Sequence, residues 1–202
     1  MKSAGITLIV VGALVAGIVL YEVVKPDPMR APTVADVKSE VDKLKAEAAK
    51  KHPGMAQSDA MKEVSMERAG EMLKTGDAQT RAKTAAGLFY GSYFMNTRAR
   101  PAYCKQRGVD LAPFVAAFDQ AHREELARAH DIFVRGGIDP ESMATTVQGQ
   151  FAAMVDQDMK DFAAGANVQP DSACELFNQN SKIIAEAIQL PAEVKQALLA
   201  KN

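Results

Sequence analysis

The sequence predicts an all-α protein: an N-terminal transmembrane helix, a short coiled-coil-like helix, and then a compact helical bundle. Three observations predict it. Residues 3–21 carry no charge at all. Beyond residue 32 the apolar residues recur at spacings of three and four, the period of a helix face. No stretch alternates apolar and polar residues for long enough to suggest a half-buried strand. Composition agrees. The chain has 202 residues, 48% hydrophobic and 24% charged, with 6% aromatics and no Trp. These are values of a folded chain, and the length suits one hydrophobic core with an appendage.

The first element is the run SAGITLIVVGALVAGIVLY, residues 3–21. At 1.5 Å per residue, 19 residues span roughly 28 Å, close to the hydrocarbon thickness of a bilayer. A cleaved signal peptide is the rival, and it needs small residues two apart at the end of a shorter run. Ala13 and Ala16 do not have that spacing, and Ile18, Val19 and Leu20 continue the run beyond them. The expectation is an uncleaved signal-anchor over residues 1–24. Lys2 alone precedes the run, against Lys25, Arg30 and Lys38 after it, so the Lys/Arg rule is neutral or points the body inward. The two cysteines argue the other way, because a distant Cys pair on a membrane-targeted chain fits a disulfide formed outside the cytoplasm. On that ground the body is expected to be periplasmic, on a single pass through the inner (cytoplasmic) membrane.

A spacer follows over residues 25–32, KPDPMRAP, with three prolines in eight residues. Proline stops the anchor helix and favours extended backbone. Residues 33–76 then read as a helical stalk. Val34, Val37, Val41, Leu44 and Ala48 fall at a and d positions of a heptad. In a parallel pair, Glu40 at g would face Lys45 at e, and the anchor holds Gly12/Ala16 and Ala13/Gly17, small pairs that let helices approach in lipid. A homodimer with a seam at Val34, Val37, Val41 and Leu44 is one expected arrangement. The other is a helix lying on its own chain, since two and a half heptads are marginal alone. His52-Pro53-Gly54 ends that helix, Ser58 is the expected cap of the next, and Thr75-Gly76 stops it.

Residues 77–202 are expected to form the bundle. Asp77 caps a helix carrying Phe89, Tyr93 and Phe94, expected to end before Arg100-Pro101. One helix is expected from Leu111 to Phe133, ended by Gly136-Gly137. Asp139-Pro140-Glu141 opens another: a cap, proline at the first position, and an acid on the positive helix end. It runs to Gly165. Ser172 with Glu175 reads as a capping box for a helix through Ile188, broken by Pro191. Val194 and Leu198 mark the last. Cys104 and Cys174 sit at element ends, where two backbones can meet closely enough for a disulfide.

Charge separates along the chain. Residues 78–109 contain no acid and hold Arg81, Lys83, Arg98, Arg100, Lys105 and Arg107, whereas residues 139–175 hold seven acids against Lys160. Either the two segments are neighbours that neutralise each other, or Arg98, Arg100, Lys105 and Arg107, with Tyr103, form a patch for an anion or an acidic partner. The whole chain is balanced at −1, which argues against a nucleic-acid partner.

Little points to chemistry. Asp119, His122 and Glu125 lie three apart on one helix, a spacing seen in carboxylate-bridged metal bundles, but those need a second such motif that the chain lacks. No phosphate loop, nucleophile elbow, Cys-x-x-Cys or His-Glu-x-x-His occurs. The expected role is a membrane-anchored interaction, scaffold or assembly protein with a protein partner, without catalytic activity, metal or cofactor. The alternative is a metal- or small-ligand-binding bundle, enzyme or carrier, using Asp119, His122 and Glu125.

Overall fold

The structure, a computed structural model, describes residues 34–55 and 57–200. Among them the chain forms ten α-helices and one π-helical segment, and no strand. The anchor, its small-residue pairs and the proline spacer lie outside the described residues. No helix among those described is long and apolar enough to cross a membrane.

Helices α1 (Val34–Lys51) and α2 (Gln57–Thr75) pack as a hairpin. The chain reverses at His52-Pro53-Gly54, where Gly54 takes a φ of +89° that a side chain would disfavour. Lys51 reaches Glu67 at 2.9 Å, and Arg68 pairs with Glu47, tying the two helices along one edge. Ser58, the expected cap, falls inside the first turn of α2. The apolar stripe of α1 is spent inside the chain: Val41 and Leu44 are 4% and 1% exposed and share one core with Ala60, Met61 and Val64. Of the expected dimer seam, Val41 and Leu44 therefore belong to the intramolecular packing, the second arrangement the heptad allowed. The side chains of Val34 and Val37 lie outside those described.

Helix α3 (Ala78–Phe94) is the central strut. Asp77 caps it, its Oδ1 accepting from the Thr80 N–H at 2.7 Å. Apolar and small residues cover it on every side, as befits a helix surrounded by others. It does not stop before Pro101. Residues Met95–Ala99 widen into a π-helical segment, in which the Arg100 N–H donates to the Met95 carbonyl, and α4 (Arg100–Lys105) carries on. Proline explains the widening. In an α-helix the Pro101 ring would press on the Thr97 carbonyl and offer it no N–H. One wider turn relieves that contact without ending the helix. The side chains of Asn96 and Thr97 bond back to the carbonyls of Ser92 and Tyr93, each at 2.8 Å, which supports the loosened turn.

The remaining helices are α5 (Ala112–Ala121), α6 (Arg123–Arg135), α7 (Pro140–Ala166), α8 (Pro170–Gln179), α9 (Ser181–Ala187) and α10 (Ala192–Leu199). Asp139 caps α7 as its sequence predicts, accepting from the N–H groups of Glu141 and Ser142, and Asn167 in the left-handed region ends it. Two expected single helices are each broken once, at His122 and at Asn180. A three-four apolar stripe runs straight through such a break, so periodicity does not report it. The Ser172/Glu175 box is not the start of α8 either; Pro170 occupies its first turn and Gln169 precedes it.

Around α3 pack α2, α6 and α10, with α7 against the π-helical segment. Aromatic rings form the joints: Tyr90 stacks on Phe133 at 4.8 Å, and Phe94 meets Phe151 edge-on at 6.2 Å. Phe177 of α8 lies against Phe114 at 5.0 Å and Phe162 at 4.4 Å. Cys104 of α4 and Cys174 of α8 form a disulfide, with Cα atoms 5.5 Å apart.

Candidate functional site

The departure from α-helix geometry at residues 95–99 forms one wall of an open groove. Phe94, Arg98, Ala99, Ala102, Tyr103 and Gln106 face Glu141, Ala144, Gln148, Phe151, Ala152 and Val155 of α7 across a cavity of about 460 Å³. The α7 residues recur at three and four, and two of them, Phe151 and Val155, also belong to the core. Four alanines keep the floor open, and Phe94, Phe151, Tyr103 and Val155 make the walls apolar. At the rim the Arg98 guanidinium donates to the Glu141 carboxylate at 2.9 Å, with side chains 56% and 66% exposed.

The basic patch expected from the sequence divides. Arg98 pairs across the groove with Glu141. Arg100 is not on the surface: its side chain is fully buried, bonded to Asp158 of α7 and to Asn96, with its guanidinium 4.6 Å from the centre of the Phe177 ring. Arg100 is thus a structural cation and leaves the patch, because no partner can reach it. Both pairs join the acid-free segment to the acidic one, so at these positions the charges neutralise each other within the chain. Lys105 and Arg107 are exposed. Arg107 lies over the Tyr103 ring, 3.5 Å from its centroid, and donates to the Tyr103 carbonyl. Burial raises the Asp158 carboxyl above its ordinary range, against the pull of Arg100.

The Asp119, His122 and Glu125 trio does not converge. His122 sits at the α5–α6 break, buried, with Nε2 3.2 Å from the Ala185 carbonyl. Burial holds its imidazole below the usual range. Glu125 receives a hydrogen bond from Lys195 at 2.6 Å; burial works against its charge, but the bond and charge of Lys195 prevail and keep it low. Asp119 serves Tyr93, whose phenol burial and that carboxylate push up to about 12. Each member has a different structural partner, and no three metal-binding side chains cluster among the described residues. The helix break at His122 separates Asp119 from Glu125, which an unbroken helix would have placed on one face.

The chain matches no family model, no curated protein and no solved structure. Its class is defined by its own coordinates: an all-helical bundle, tied by one buried disulfide, with an open groove beside a π-helical turn. Of the groove residues, Arg98 and Tyr103 are legible in sequence as functional candidates. The α7 wall was hidden because its alanines and glutamine resemble an ordinary solvated face.

Proposed function

We propose that this protein is a single-pass, membrane-anchored scaffold or assembly module of the inner membrane, with its helical body in the periplasm and no catalytic activity of its own. The observation that carries the reading is the pairing of a 19-residue uncharged run with a body closed by the Cys104–Cys174 disulfide. The run has the length of a membrane span, and such a bridge persists in oxidising compartments. Lys105 and Arg107, exposed where α4 ends beside Tyr103, are the cations this reading offers to an acidic protein partner.

Two measurements test it. Thiol alkylation in whole cells should label Cys104 and Cys174 only after denaturation and reduction. Labelling on denaturation alone would place the body in a reducing compartment and overturn the location. Extraction of membranes in mild detergent should recover a complex that K105E/R107E weakens. A chain that emerges alone and monomeric overturns the scaffold role.

A further inference from the structure

Helix α10, the last one described, is held to the bundle by two polar clasps from α6. Lys195 reaches the Glu125 carboxylate at 2.6 Å, on a glutamate side chain that is 5% exposed. Arg128 donates to the carbonyls of Leu198 at 3.2 Å and Ala200 at 2.9 Å, groups that the helix leaves free at its C-terminal end. Val194 and Leu198 are buried, and the helix packs on the central strut α3. Eight residues are too few to hold a helix in water alone, so α10 depends on these contacts. Its neighbour α8 is held harder, tied through Cys174 to α4.

The Arg128 clasp is indifferent to mild acid, whereas the Lys195 clasp has a titrating neighbour. His122 stands at the α5–α6 break, three residues before Glu125, and is buried. Its imidazole feels the negative charge of Glu125 and the positive charge of Lys195. Neutral His122 leaves Glu125 to Lys195. A protonated His122 puts two cations on one buried carboxylate. The other contacts of the ring are uncharged: the Phe118 ring of α5, centred 4.3 Å away, and the Ala185 carbonyl of α9. The charges nearby are engaged or exposed. Asp119 of α5 serves Tyr93, Arg123 bonds Gln120, Glu124 is exposed, and Lys182 and Glu186 of α9 pair at the surface. The competition is settled by which cation can leave. His122 is fixed in the core at an element junction, whereas the Lys195 side chain is 43% exposed on a short helix and its ammonium hydrates strongly.

We infer that α10 is an acid-released strap: protonation of His122 draws the Glu125 carboxylate away from Lys195, and the helix lifts off α3 while the disulfide-tied bundle stays folded. The coupling is reciprocal. With α10 lifted, His122 loses a repelling cation and keeps Glu125, so the open form takes up a proton more readily than the closed form. Acidification below the ordinary imidazole value of 6.5 therefore favours the open form. Opening bares the apolar ground on which Val194 and Leu198 rest. The strap does not depend on the tethering role.

The test is hydrogen exchange of the full chain in dodecyl maltoside at pH 7.5 and 5.5, with rates corrected for the intrinsic effect of pH. Protection of the peptide Ala192–Leu199 should fall severalfold in acid, within the limit of about tenfold per pH unit that a single proton allows. Protection of α3 should persist. H122Q should leave α10 equally protected at both pH values. K195M is a second arm that keeps His122 in place. It removes one of the two competing cations and strands the carboxylate, so α10 should be loose already at pH 7.5 and acid should loosen it no further. Equal protection of wild-type α10 at both pH values overturns the strap. So does an acid loss that α10 shares with α3, or one that persists in either variant.

Discussion

Arg100 of α4 and Asp158 of α7 form an ion pair sealed inside the bundle, with side chains 0% and 3% exposed. The pair holds the chain on either side of the groove together. Arg100 also binds Asn96 in the π-helical segment and lies over Phe177 of α8, so one guanidinium joins four elements. Taking two charges out of water costs about what their attraction returns, whereas leaving one alone is strongly unfavourable. R100M or D158N alone should therefore cost about 3–5 kcal/mol in urea unfolding. The double variant R100M/D158M should lose much less than the sum. Additive losses would mean that the two side chains do not act as a pair.

The disulfide closes a loop of 70 residues between α4 and α8. In the chain-entropy model this restricts the unfolded chain by about 4 kcal/mol. C104A/C174A should lower unfolding stability by roughly 2–4 kcal/mol, less than the model gives if the native contacts of α8 persist. Because both cysteines are wholly buried, dithiothreitol should fail to reduce the native protein and should act once denaturant opens it. Alkylation followed by mass measurement reads both outcomes. Rapid reduction of the folded chain would show that α8 detaches readily.

Where the sequence was readable, the signals were local and chemical. Asp77 and Asp139 marked helix starts because a carboxylate and free N–H groups recognise each other within one turn. The cysteine pairing was readable only in part: Cys104 lies at the end of α4 as expected, but Cys174 lies in the middle of α8, and it is the close packing of the two helices that sets their Cα atoms 5.5 Å apart. Three features escaped, each for a tertiary reason. The passage through Pro101 depends on a widened turn supported by Asn96 and Thr97, and proline alone reads as a stop. The breaks at His122 and Asn180 leave the apolar stripe in phase. Arg100 looks like its surface neighbours in sequence, and only the fold sets Asp158 against it.

Leu44 distinguishes packing within the chain from packing between chains. It is 1% exposed in the α1–α2 hairpin, so L44A should cost about 2–5 kcal/mol by removing buried methyl groups and leaving a cavity. The loss should appear as a lower urea midpoint in the detergent-solubilised chain. It should be the same at low and high protein concentration. A midpoint that rises with concentration in the wild type and not in L44A would place Leu44 between chains instead.

His122 makes the bundle sensitive to acid. Burial holds its folded pKa below the ordinary imidazole value of 6.5, and the Ala185 carbonyl and Glu125 charge offset that only in part while Lys195 adds to it. The unfolded chain therefore takes up a proton on this side chain before the folded chain does. Stability from neutral His122 is complete above pH 6.5 and declines as pH falls below it, levelling off at the folded pKa. The slope in that window is at most about 1.4 kcal/mol per pH unit for one group. Glu125, also depressed in the folded state, acts in the same direction but only below its ordinary value of 4.5. H122Q keeps a donor for the Ala185 carbonyl and removes the titration. Urea unfolding between pH 7.5 and 5 should show a decline in the wild type that H122Q flattens. An equal decline in both proteins would assign the acid sensitivity to another group.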